Sequence, residues 1–166
     1  MTMAFQRATK RQARLRLALA GPSGSGKTYT SLLVGSALKG DGRMAVIDSE
    51  RGSASKYADK FEFDVLELST FAPATYVSAI EAAAQAGYTV IVVDSLTHAW
   101  SGRDGALEQV DRAAARSNRG NSFAAWREVT PQHNALVDAL VSAPAHVIAT
   151  MRSKTEYVLE TDDRGR

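Results

Sequence analysis

The octet Gly21-Pro22-Ser23-Gly24-Ser25-Gly26-Lys27-Thr28 fits the pattern G-x-x-x-x-G-K-[ST], and it leaves a chain few ways to fold. The apolar run at 15–20 before it reads as a buried strand. Residues 28–38 after it read as a helix, with Leu32, Leu33, Ala37 and Leu38 along one side. A strand that turns through glycines into a helix gathers backbone N–H groups and the positive end of the helix dipole at one point, which suits a phosphate. On this reading Gly21, Pro22, Ser23, Gly24, Ser25, Gly26, Lys27, Thr28 and the following Tyr29 form a nucleotide-binding set. Lys27 is expected to reach the β- and γ-phosphates and the Thr28 hydroxyl to ligate magnesium.

The rest of the chain continues the alternation of strand and helix. Gly40-Asp41-Gly42 ends the first helix, and residues 44–48 read as a second buried strand that runs into Asp48-Ser49-Glu50. Residues 53–61 suggest a short helix, and 63–68 alternate like a strand nearer the sheet edge. Pro73 opens and Gly87 closes a crossover helix. Residues 88–95 then carry the four β-branched residues Val90-Ile91-Val92-Val93 into Asp94, the Walker B pattern of a magnesium-binding acid. A helix is predicted at 107–115, and Thr130-Pro131 has the form of an N-cap and first turn opening another, which Pro144 ends. The last apolar strand, 145–150, leads into Met151-Arg152-Ser153-Lys154-Thr155. Residues 156–160 alternate like a strand, and 162–165 form a turn with no returning strand, so the domain is expected to continue past Arg166.

With 166 residues, 45% of them apolar and 23% charged, the chain is sized for one domain: a basic leader at 1–14 and an α/β domain at 15–166. It has no cysteine, which removes disulfides and cysteine-based metal sites and agrees with a reducing, cytoplasmic setting. No apolar window is long enough for a membrane span, and the leader lacks the apolar stretch of a secretory signal. The net charge is only +2, yet Arg7, Lys10, Arg11, Arg14, Arg16, Lys27 and Lys39 all precede the first acid, Asp41. Such a leader can be a solvated arm or one that faces nucleic acid. Between residues 95 and 121 four arginines, Arg103, Arg112, Arg116 and Arg119, stand against the acids Asp104, Glu108 and Asp111. Helical ion pairs and phosphate-backbone contacts both fit that composition. Trp100 and Trp126 can stack on bases but read more simply as packing, and His98, His133 and His146 share no metal-ligand spacing.

Hydrolysis needs a group that orients water, and Asp94 is followed by Ser95 where many ATPases place a glutamate. Glu50 is then the best-placed acid, with Asp48 its competitor; by position alone a capping role suits Glu50 as well as catalysis. The ordered blocks Val46-Ile47-Asp48-Ser49-Glu50, Val90 to Ser95 and Ile148-Ala149-Thr150-Met151-Arg152-Ser153-Lys154 resemble the RecA recombinase core. More narrowly, the chain is similar to compact phage-encoded AAA-type ATPases associated with single-strand annealing and recombination.

The resemblance implies a RecA-like P-loop NTPase fold, a mostly parallel sheet with helices on both faces, binding ATP and Mg2+. It implies Glu50 and Lys27 as catalytic residues, Thr28 and Asp94 as metal ligands, and Thr150 at the place where RecA proteins carry a γ-phosphate-sensing glutamine. It also places the segment 95–121 and the stretch from Arg152 where DNA-binding loops lie, making Arg103, Arg116, Arg119, Arg152 and Lys154 candidate contacts to single-stranded DNA. Self-association in a ring or filament follows from the same resemblance, with Arg152 or Lys154 as a finger reaching a neighbouring subunit. Two other functions fit a P-loop: a small-molecule kinase, and a nucleotide switch without turnover. A GTPase would carry Asn-Lys-x-Asp and an ABC ATPase Leu-Ser-Gly-Gly-Gln, and neither occurs.

Overall fold

Runs of β-branched and small apolar residues, too short for helices, become the strands of one sheet. The structure is a computed structural model that describes residue 7 and residues 13–116 and 122–153. In chain order these form β1 (Arg16–Gly21), α1 (Lys27–Lys39), β2 (Met44–Asp48), a 3-10 turn (Ala54–Tyr57), β3 (Asp64–Glu67), α2 (Pro73–Gln85), β4 (Val90–Asp94), α3 (Thr97–Ser101), α4 (Ala106–Arg116), α5 (Ser122–Ser142) and β5 (His146–Arg152). The sheet order is β1-β5-β4-β2-β3 and every neighbouring pair is parallel. Parallel neighbours need crossovers, so the helices must lie over the faces. This is the α/β RecA-like P-loop arrangement.

Every residue of β2 and β4 is buried, as expected of strands covered on both sides. Side chains alternate between faces. Met44, Val46, Val90, Val92 and Ile148 pack with Leu32 of α1, whereas Ala45, Ile47, Ile91, Val93, Val147 and Ala149 pack with Tyr76 and Ile80 of α2 and Leu136 of α5. Gly35 allows α1 to lie close to the sheet, since a Cβ there would stand 2.5 Å from the Met44 sulfur. A smaller core of Ala106, Val110, Ala113, Ala125 and Val129 joins α4 to α5. β3 is the exposed edge anticipated from its alternation, with all four residues exposed.

The structure corrects the local reading in two places. Thr130-Pro131 does not start a helix: α5 begins at Ser122 and runs through Pro131. Proline removes one N–H from the helical ladder, but Ala125 and Val129 before it and Leu136 after it are all buried, and packing on both sides holds the helix together. Thr97–Ser101 forms a short helix that its polar composition concealed. The strand expected at 156–160 and the turn at 162–165 lie outside the described residues, as does nearly all of the basic leader. No described helix is long and apolar enough to cross a membrane. Because all strands run in one direction, Gly21, Asp48, Asp94 and Arg152 end at a common edge, where ligands bind in sheets of this kind.

Candidate functional site

At that edge β1 enters its glycine turn. Gly24 and Gly26 have φ of 78° and 83°, in the left-handed region that a side chain would strain. No side chain caps the start of α1, so its first N–H groups face the cleft unclaimed by a cap. Lys27 Nζ folds back onto the loop and donates to the carbonyls of Gly21 (2.9 Å) and Pro22 (2.7 Å). Its charge is held by neutral carbonyls, which leaves the loop electropositive. The cleft is lined by Ser23, Gly24, Ser25, Gly26, Lys27 and Thr28 on one side and by Glu50, Ser53, Tyr57, Asp94 and Arg152 on the other.

Asp94 is 3% exposed at the end of β4. Its two oxygens receive one hydroxyl each: Thr28 Oγ1 donates to Oδ2 at 2.7 Å and Thr150 Oγ1 donates to Oδ1 at 2.5 Å. Thr28 and Asp94 thus set two hard oxygen donors side by side at the foot of the phosphate loop. Among the described residues there is no group of three or more His, Cys, Asp or Glu that would hold a metal by itself. The donor set therefore suits magnesium, which keeps its waters and takes only one or two protein ligands beside phosphate oxygens.

Beyond β2 the chain reverses through Arg51 and Gly52, both at positive φ. Asp48 organises this turn: its Oδ1 accepts the Glu50 N–H at 2.5 Å and its Oδ2 the Ala54 N–H at 3.5 Å. Burial pushes the Asp48 carboxyl above the usual carboxylate range, with the charges of Asp94 and Glu67 adding to the rise and the two N–H bonds opposing it. Asp48 faces backbone; Glu50 faces the cleft. Ser95 Oγ donates to Glu50 Oε1 at 2.9 Å, Arg152 Nε donates to the same oxygen at 3.0 Å, and Arg152 Nη2 pairs with Oε2. Ser95 is itself fixed, since its N–H donates to Ser49 Oγ at 2.9 Å and its carbonyl accepts the hydroxyls of Ser49 and Tyr76. Burial pushes the Tyr76 phenol up to about 12, so it remains a donor.

A family model described as an AAA domain matches residues 13–165. The chain belongs to the AAA domain family. Comparison with curated proteins returns no match.

Within this AAA domain the P-loop, the Walker B acid and Glu50 meet in one cleft, but four residues of the expected nucleotide set, Gly21, Pro22, Tyr29 and Thr150, do not line it. Gly21 and Pro22 hold Lys27 through their carbonyls and do not line the cleft. The Tyr29 ring also lies off the cleft, edge-on to Tyr57 (5.6 Å) and Phe61 (5.3 Å); of that aromatic group it is Tyr57 that forms part of the cleft wall. Thr150 is fully buried and turned to Asp94, so it supports a carboxylate instead of facing the cleft directly. Sequence reasoning passed over Ser53 and Tyr57, which no motif marks, and it placed Ser95 in the Walker B block without giving it a partner in Glu50.

The described arginines between residues 95 and 121 are each paired within the fold, Arg103 and Arg112 both with Asp104. Arg103 Nη2 donates to the Ser69 carbonyl at 2.7 Å, Arg112 bridges Asp104 and Glu108, and Arg116 pairs with Glu128 at 3.1 Å. Arg152 is engaged by Glu50 within its own chain. Arg119 and Lys154 lie outside the described residues. Trp100 and Trp126 stack on each other, with ring centroids 5.6 Å apart. His98 bonds to Ser49 Oγ at 2.9 Å and His146 Nδ1 accepts the Leu15 N–H at 3.0 Å, so both histidines serve the fold.

Proposed function

We propose that the protein is a RecA-core ATPase that acts on single-stranded DNA, in the manner of phage recombination and repair ATPases, and that it works as an oligomer. The observation that carries the ATPase reading is the single cleft in which Lys27, the Thr28–Asp94 pair and Glu50 face one another. The loop N–H groups and Lys27 bind the phosphates and localise their charge. Thr28 and Asp94 hold magnesium, which when bound neutralises charge on the phosphates. Glu50 accepts a proton from the attacking water, and Ser95 and the Asp48-stabilised turn fix its position. Tyr57 offers a ring at the cleft wall for the apolar part of the nucleotide.

The DNA and oligomer parts rest on the RecA-like order of the sequence blocks and on the exposed arginines Arg103 and Arg116, whose solvent-facing pairs a phosphate backbone can exchange. A nucleotide switch without turnover is the second reading, favoured by one contact: Arg152 occupies both oxygens of Glu50. Steady-state ATP hydrolysis with and without single-stranded DNA tests these readings together. Stimulated turnover supports the DNA-dependent ATPase. Turnover indifferent to DNA removes the DNA part, and nucleotide binding without turnover selects the switch.

A further inference from the structure

We propose that Arg152 reads the terminal phosphate in its own subunit, holding Glu50 in an ion pair until a nucleoside triphosphate takes the guanidinium away. This rests on the P-loop reading above and deepens it. The backbone of Arg152 is anchored on both sides. It stands in parallel register with Gly21 of the phosphate loop, its N–H donates to Thr97 Oγ1 at 2.7 Å, and the Ser153 N–H donates to the Gly21 carbonyl at 3.1 Å. From this fixed base the side chain meets the Glu50 carboxylate with two nitrogens. A carboxylate whose two oxygens both accept from a guanidinium has its lone pairs engaged there and not with a water molecule.

The fork that fits a carboxylate also fits a phosphate. Arg152 lines the same cleft as Lys27 and the loop N–H groups, so a terminal phosphate seated there lies within the guanidinium's field. Its side chain is 41% exposed, against 14% for Glu50. The exposed guanidinium can be drawn to a second anion, and a terminal phosphate offers it more charge and more acceptor oxygens than the carboxylate does. A diphosphate has no group at that position and leaves the pair closed. Occupancy by a triphosphate is thereby converted into release of Glu50, a task the buried Thr150 cannot perform because its hydroxyl is committed to Asp94.

The test is a binding cycle read by calorimetry on the full chain with magnesium, using the non-hydrolysable triphosphate AMP-PNP and, separately, ADP. Arg152→Ala should weaken AMP-PNP by about tenfold and leave ADP within about twofold. Glu50→Gln removes the competing charge, so the same Arg152→Ala change should cost a further factor of about three for AMP-PNP in that background. Direct repulsion between Glu50 and the phosphate cancels in the cycle. Arg152→Lys, which keeps the charge and loses the fork, should fall between wild type and Arg152→Ala. The proposal is overturned if Arg152→Ala weakens both nucleotides alike, or if its cost is the same in both backgrounds. Failure of the wild type to bind either nucleotide would sink the P-loop reading itself, and this proposal with it.

Discussion

Replacing Thr150 with valine isolates the contact that supports the Walker B acid. Thr150 is fully buried, and its hydroxyl gives Asp94 one of the two donors that its carboxylate receives. Valine keeps the branching and replaces the hydroxyl with a methyl group, leaving Oδ1 of a 3%-exposed carboxylate facing carbon. A hydrogen bond to a charged group contributes about 1.5–3 kcal/mol, so the loss should lie near 2 kcal/mol. For a domain of this size that corresponds to a fall of roughly 4–8 °C in Tm. Thr150→Ser is the control: it keeps the hydroxyl and loses one buried methyl, for a cost of about 1 kcal/mol. Urea denaturation followed by circular dichroism at neutral pH, without nucleotide, gives both numbers. If valine proves no more costly than serine, the hydroxyl is not what holds Asp94, and the structural role assigned to Thr150 fails.

Lys27→Ala should weaken nucleotide binding by about 10- to 100-fold with an unchanged circular dichroism spectrum, because the loop then loses its only side-chain cation; undiminished affinity would remove the phosphate site from this loop. Glu50→Gln should retain nucleotide binding while lowering turnover by about 10²- to 10⁴-fold, and wild-type turnover in that variant would move the base elsewhere. Asp48 should shape the pH dependence of stability. Burial raises its carboxyl above the ordinary 3.8, so the native state holds the proton more tightly than the unfolded chain does. Stability is therefore lost as pH climbs from about 4 through the native value, and is unpenalised below that window. Asp48→Asn, which does not titrate, should flatten this stretch of a denaturation profile taken from pH 4 to 7; a slope as steep as that of wild type would assign the effect to another group.

The parts of the site that could be read in advance are contiguous in the chain. The glycine turn and Lys27 form one octet, and Asp48 and Asp94 each terminate an apolar run whose burial made it a strand. The sheet followed because such runs alternate with helices, and the exposure of β3 followed from its period of two. What escaped was pairing across distance. Thr150 and Asp94 are 56 residues apart and Arg152 and Glu50 are 102 apart, so the sequence displays each donor and each acceptor without joining them. Pro131 failed as a helix start for a related reason. The local signal was sound, but the burial of Ala125 and Val129 against α4 decided the matter, and that is a tertiary quantity.

The end of β5 joins two acids that lie far from it in the sequence. Thr150 and Arg152 are two residues apart and so leave the strand on one face, where each binds an acid from a different part of the sheet: Asp94 at the end of β4, and Glu50 beyond β2. Met151, between them, joins Trp100, His133, Leu136 and Leu140 along an apolar groove against α3 and α5, and Arg152 borders that groove as well as the nucleotide cleft. The backbone N–H of Arg152 is tied to Thr97, the first residue of α3, the helix that also carries Trp100. Arg152 therefore stands at the boundary of two surfaces, its main chain fixed by Thr97 and its side chain paired with Glu50.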